Sequence, residues 1–366
     1  MDDKDFMNNN RLATKSSRII EPFDPTTIDV DVSTVNLGSV IDMLRYDEIN
    51  LQPEFQRSSD VWNKKQKSRL IESILLGLPL PSFFFSENPD EPRLSIIDGL
   101  QRLCAIKDFV LEMHNPLVLK GLQFLTDFEG MTYADLKRPE QRRIDAMKIT
   151  INVLRRTTPD NVKYIIFQRV NTAGTRLVAQ EIRNALNQGE ASRFVRQLSR
   201  EKEFLRATGG KISNKRMADC DFVNRFIAFY NGYEEYTGDL DEFLNRQMGN
   251  LNKMTPARRE EIRQAFLSSM KCCADIFGED AFRKDNDRKS PVSKSIFDTL
   301  SVNLALLTDN QRTELSRRPK LLTQGMKELF SDESFLKSLS YGTGQWKNVA
   351  LRFALVKELL SKILNS

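Results

Sequence analysis

Every segment that alternates like a β-strand lies before residue 157, whereas from Ala191 onward the pattern is one of amphipathic helices. That separation restricts the architecture to α+β, a mixed α/β N-terminal module followed by an all-helical C-terminal domain. A chain of 366 residues exceeds what one core usually supports. The organisation read from it is a flexible tail at 1–25, a mixed module at 26–190 and a helical domain at 191–366. The tail is polar and lacks periodicity. No apolar run approaches the roughly 20 residues needed to cross a bilayer, and the first residues lack a signal peptide's apolar core. A cytoplasmic protein with no membrane partner is expected.

Within the module, Val40, Ile41 and Leu44 fall at helical spacing in the stretch 35–46. The segment from Lys64 to Gly77 places Leu70, Ile71, Ile74 and Leu75 on one side and Lys64, Lys65, Lys67 and Glu72 on the other. LPLPSFFFSE and RLSIID read as two strands around the turn ENPDEP, and a helix follows from Leu100 to about Met113. Residues 117–147 suggest short elements under a basic surface of Lys137, Arg138, Arg142 and Arg143. KITINVLRR then alternates, with Ile149, Ile151 and Val153 sharing a face. Two helices, at about 160–169 and 178–187, flank the loop VNTAGT.

Composition excludes several chemistries. The four cysteines, at 104, 220, 272 and 273, show no CxxC pair and no disulfide or zinc spacing. The chain has one histidine, His114, so HNH nucleases, zinc hydrolases and histidine triads lack their imidazoles. Catalysis has to use carboxylates, amides, arginines or metal. A net charge of +5 gives a mild bias toward anionic partners.

The centre of the module is IIDGLQRL, residues 96–103. A strand delivers Asp98 to a turn, Gly99 permits tight geometry, and a helix begins with Gln101 and Arg102 in its first turn. A helix N-terminus attracts anions, so an arginine there asks for a negative neighbour such as a phosphate. Asp98 could hold a divalent metal on that phosphate. The alternative is structural, with Asp98 as an N-cap and Arg102 paired to a nearby carboxylate. Spacing alone leaves both open. Two further segments carry polar residues that packing would not require: QPEFQRSSDVW, with Gln52, Gln56, Arg57 and Trp62 leading toward Gln66, and FQRVNTAGTRLVAQEIRNAL, with Asn171, Gly174, Glu181 and Asn184.

Together these blocks resemble the N-terminal domain family of GmrSD-type, modification-dependent restriction systems. The resemblance rests on PEFQR at 53–57, Trp62, Gln66, DGLQR at 98–102, NTAG at 171–174 and QEIRNAL at 180–186, and it covers most of residues 35–190. It implies a ParB/sulfiredoxin-like fold and a motif associated with binding and hydrolysis of a nucleoside triphosphate with Mg2+, in control of phage DNA cleavage. Carried over by position, Asp98, Gln101 and Arg102 would be catalytic, with Asp98 on metal. The nucleotide would meet Arg57, Gln66, Asp98, Gly99, Gln101, Arg102, Asn171 and Glu181. Lys64, Lys65, Lys67, Arg142 and Arg143 are the candidate DNA contacts, and a separate nuclease subunit is the expected partner.

Two departures bear on the transfer. Leu100 stands where the family's motif has its first glutamine, which favours nucleotide binding over hydrolysis. Nothing in residues 191–366 contains a histidine, so this chain is not expected to cut DNA by the histidine-based nuclease route of the family. A second class of function stays open, a DNA-binding or protein-interaction module with no nucleotide chemistry.

Overall fold

The computed structural model describes residues 25–51, 62–88, 91–170, 178–187, 189–284 and 290–366. The chain divides into two compact units, one of residues 26–192 with 213–218, the other including 193–212 and 219–366.

The first unit runs β1 (Val30–Asn36), α1 (Leu37–Arg45), β2 (Ile49–Asn50), α2 (Lys64–Leu75), β3 (Phe83–Asn88), β4 (Glu91–Asp98), α3 (Leu100–Val110), α4 (Arg138–Ala146), β5 (Lys148–Leu154), α5 (Asp160–Val170) and α6 (Ala179–Leu186). Among the described residues the strands make one sheet in the order β1-β5-β3-β4-β2. β1 with β5 and β3 with β4 are antiparallel, while β3 with β5 and β2 with β4 are parallel. Strand alternation puts Phe83, Phe85, Ile96, Ile149, Ile151 and Val153 into one core with Val40, Ile41, Leu70, Ile71, Ile74, Leu103 and Phe109. Each such side chain contributes about 1.5–3 kcal/mol of burial.

Helix α2 starts at a capping box, in which Gln66 N–H donates to Asn63 Oδ1 at 3.0 Å and Asn63 N–H donates to Gln66 Oε1 at 3.0 Å. Its far end is tied to the loop after α3. Glu72 Oε1 accepts the backbone N–H groups of Gln123, Phe124 and Leu125 at 2.7, 2.6 and 2.9 Å. Glu129 takes the two preceding ones, Gly121 and Leu122, at 2.7 and 3.0 Å. Two carboxylates therefore satisfy five successive amides of a turn that has no ladder to join.

Three boundaries differ from the sequence expectation. Val30–Asn36 is a strand where none was anticipated, and the helix after it starts at Leu37, not Val35. This strand is a sheet edge with Val32 62% exposed, so it lacks the buried alternating face that marks an inner strand. Within the segment anticipated as short elements, Arg138–Ala146 is a helix with Ile144 as its buried residue. Helix α3 ends at Val110, three residues before Met113.

Among the described residues, the second unit is helical throughout: α7 (Glu190–Leu198), α8 (Lys202–Ala207), α9 (Ala218–Gly232), α10 (Leu240–Lys253), α11 (Pro256–Phe277), α12 (Lys294–Ala305), α13 (Asp309–Arg317), α14 (Pro319–Ser331), α15 (Glu333–Ser340) and α16 (Trp346–Leu364). Helix α12 is buried from Ser295 to Ala305, and it packs on α11 and α16. Phe297 lies near the centre of an aromatic cluster, edge-on to Phe222 and Phe282 at 5.1 and 4.8 Å. One residue on, Asp298 takes Arg225 in a two-pronged ion pair, with Arg352 Nη2 3.9 Å away. No described helix is long and apolar enough to cross a membrane.

Candidate functional site at the β4–α3 junction

The end of β4 is irregular in a way that positions the motif. Phe85 pairs with Ile96 and Phe84 pairs with Asp98, so β4 carries one extra residue, Ile97, against β3. The bulge breaks the two-residue alternation, and Asp98 leaves the core face that Ile96 occupies. Gly99 follows with φ at 103°. A Cβ there would sit 2.5 Å from Phe83 Cδ1 and 3.2 Å from Arg102 Nη2, so both the backbone conformation and the space require glycine.

Arg102, in the first turn of α3, points back at this bend. Its Nη2 lies 2.8 Å from Asp98 Oδ2 and donates to Ser82 O at 3.2 Å, while Nη1 donates to Pro81 O. The guanidinium also covers the Phe83 ring, 4.4 Å from its centroid. Arginine thus joins the strand end, the approach to β3 and the core aromatic in one contact. The Arg102 side chain is 11% exposed and that of Asp98 is 31% exposed. Burial pushes the Asp98 carboxyl above its ordinary range, although the Arg102 charge and the Gly99 N–H oppose it. The carboxylate is oriented yet still open to solvent.

Gln101, beside it, accepts from Trp62 N–H at 3.4 Å. Gln66 is exposed and its Oε1 is used in the α2 cap. Glu181 is 3% exposed, and its Oε2 accepts Val178 N–H at 2.8 Å and Arg216 Nη2 at 3.1 Å. Its contacts are therefore with the start of α6 and with residue 216, not with the motif. Arg57 and Asn171, with Gln52, Gln56 and Gly174, lie outside the described residues.

The candidate DNA contacts divide into two kinds. Lys64, Lys65, Arg142 and Arg143 are exposed, with Arg143 Nη1 also donating to Leu75 O at 3.1 Å. Lys67 is buried at 8% exposure and pairs with Asp108 at 2.8 Å, tying α2 to α3.

Another set of residues escapes sequence reasoning. Lys163 on α5 and Gln180 and Arg183 on α6 are 1–4% exposed, although their spacing reads as an ordinary solvated face. The one available signal was QEIRNAL, whose polar run exceeds what a helix cap uses.

Residues 40–188 match the family model described as the GmrSD restriction endonuclease N-terminal domain. No curated protein and no solved structure matches the chain. The matched span holds the DGLQR turn, the sheet strands β2 to β5 and both helices that flank the NTAG segment. Residues 40–188 are a domain of the GmrSD restriction endonuclease N-terminal family.

Proposed function

We propose that this chain is a nucleotide-binding regulatory or sensor subunit of a DNA-targeting, modification-dependent restriction-like defence system, with a ParB/sulfiredoxin-like first module. The observation that carries the reading is Asp98, set off the core face by a bulge, held by Arg102 and left partly open at a glycine turn that begins a helix. The first N–H groups of α3 have no partner within the helix, so that end attracts phosphate. Among the described residues no group of three or more His, Cys, Asp or Glu comes together to hold a metal. In this reading Asp98 would help to hold a Mg2+ ion brought by the triphosphate, whose charge would offset that of the phosphates. Leu100 replaces a polar group that would position water, so binding exceeds hydrolysis. DNA cleavage belongs to a separate nuclease subunit.

The test is a panel of nucleoside triphosphates with Mg2+, measured for binding and hydrolysis, with modified and unmodified DNA present or absent. Wild-type protein is expected to bind at least one, and Asp98→Asn or Gln101→Ala to bind it at least ten-fold more weakly. A nucleotide-independent DNA-binding or interaction module is the second reading. The inward engagement of Arg102 favours it. It requires salt-dependent DNA binding that nucleotide and Mg2+ leave unchanged.

A further inference from the structure

The loop after α3 displays an aromatic ring on a fixed backbone. Phe124 is 68% exposed, yet its N–H is the middle one of the three successive amides that Glu72 Oε1 accepts. Glu72 itself is 3% exposed. Burying a carboxylate is costly unless such hydrogen bonds offset it, so a buried charge is held here for the shape of a surface loop. Arg69 braces the same loop, its Nε donating to Gly121 O at 2.7 Å and its Nη1 to Gln123 Oε1. An exposed phenylalanine on a loose loop is ordinary. One whose main chain is pinned presents its ring with little entropy left to lose on contact.

Cations lie along the same side of α2. Lys65, Arg69, Glu72 and Leu76 recur every three or four residues and so share one stripe at its C-terminal half and start. A Cβ on Gly121 would sit 3.0 Å from Lys65 Cγ, which places the stem of Lys65 against the beginning of the loop. The adjoining Lys120 N–H donates to Ser68 Oγ at 2.9 Å. At the other end of α2, Arg143 Nη1 donates to Leu75 O at 3.1 Å. Lys65, Lys120 and Arg143 are exposed. From Lys65 to Leu76 the helix rises about 16 Å, the length of a few nucleotides of one strand. Glu72 and Glu129 turn their carboxylates to loop amides, and within residues 120–128 Asp127 is the exposed acid.

We propose that Phe124 is a stacking platform for an unpaired base of DNA, with the phosphates that flank this base held by Lys65 and Lys120 on one side and by Arg143 on the other. Every base has a π-face, so the contact tolerates any sequence, and the cations supply the salt-dependent part of binding. The ring adds what the basic surface lacks, a preference for unstacked bases over a closed duplex. The inference rests on the DNA-targeting reading and deepens it by naming the form of DNA that this face takes.

The experiment uses the full chain and follows fluorescence anisotropy across a salt series, with thermal melts of each variant. The probes are an oligothymidylate of about 12 nucleotides, the same backbone lacking its bases, and a duplex of equal length. Wild type is expected to prefer oligothymidylate over the abasic strand by about ten-fold. Phe124→Ala should erase that preference with salt slope and Tm unchanged, and Phe124→Trp should keep it. Lys65→Ala should weaken both strands alike and flatten each slope by about 0.7. Oligothymidylate affinity in Phe124→Ala within two-fold of wild type overturns the inference, as does an equal loss on the abasic strand, the mark of a disturbed surface. Should Phe124→Ala melt lower than wild type, Phe124→Leu, which keeps bulk and removes the π-face, decides by the same ratio. Duplex bound as tightly as oligothymidylate, with Phe124→Ala changing neither, leaves DNA binding in place and overturns the platform alone. Wild type that binds none of the probes overturns the platform together with DNA contact by this chain.

Discussion

Arg102 Nη2 lies 2.8 Å from Asp98 Oδ2 while the same guanidinium sits 4.4 Å over the Phe83 ring. One side chain therefore orients the motif's carboxylate and closes the end of the hydrophobic core. Removing it exposes both to change. Arg102→Ala is expected to lower unfolding free energy by about 2–4 kcal/mol, because Asp98 is left part-buried without its counter-charge. Arg102→Lys should lose about half as much, since an ammonium cannot serve Pro81 O, Ser82 O and Asp98 in one plane. Urea unfolding of the variants checks both, and equal losses in the two would mean that the fork geometry is irrelevant.

Gly99 gives a sharper local test. Its φ of 103° and the 2.5 Å that would separate an added methyl carbon from Phe83 Cδ1 act together. Gly99→Ala should cost about 2–3 kcal/mol from strain and displacement of the ring. A shift under about 0.5 kcal/mol in urea unfolding would show that the turn relaxes freely.

Acid stability should show two opposing contributions. Burial pushes the Glu72 carboxyl up, but the N–H groups of Leu125, Phe124 and Gln123 and the Arg69 charge outweigh it and hold the pKa below the ordinary glutamate range. A folded pKa below the unfolded one means stability that is present above the unfolded value and lost as pH falls through the folded one. Asp98 has the opposite sign. Its raised pKa gives stability that is complete below the ordinary aspartate range and lost as pH rises through the folded value. Unfolding free energies across about pH 3–6 should therefore lose part of their acid decline in Glu72→Gln, and Asp98→Asn should lose a component that falls as pH rises. Amide exchange at residues 123–125 should quicken in Glu72→Gln; unchanged exchange there would contradict the proposed tie.

The strand–turn–helix at residues 96–103 was legible because an apolar alternation, a glycine and a helical period meet within eight residues. β5 was legible from its alternation, and β3 from a run too short and too aromatic for a helix. β1 was not, because an edge strand with Val32 in solvent has no buried face to betray it. Gln66 looked like a pocket residue, although its spacing from Asn63 also spells the capping box that the structure contains. Lys67 looked solvated on its helix face, and its partner Asp108 lies 41 residues on, beyond any local pattern.

The basic surface separates by exposure. Lys64→Ala, Lys65→Ala and Arg142→Ala together should weaken DNA binding and flatten its dependence on log salt by up to about three units, with little change in stability. Lys67→Ala should instead destabilise the chain through Asp108. Gel shifts across a salt series, paired with melts, check the distinction. An unchanged salt slope in the triple variant would remove this surface from the DNA interface.

The central claim is that Asp98 belongs to a nucleotide site. It is tested most directly by calorimetric titration of nucleoside triphosphate and Mg2+ into wild-type protein and into Asp98→Asn, a substitution that keeps shape and removes charge. The account predicts saturable binding to the wild type that weakens at least ten-fold in a folded Asp98→Asn protein. Equal affinity in the two, or no binding by the wild type to any nucleoside triphosphate, would contradict it.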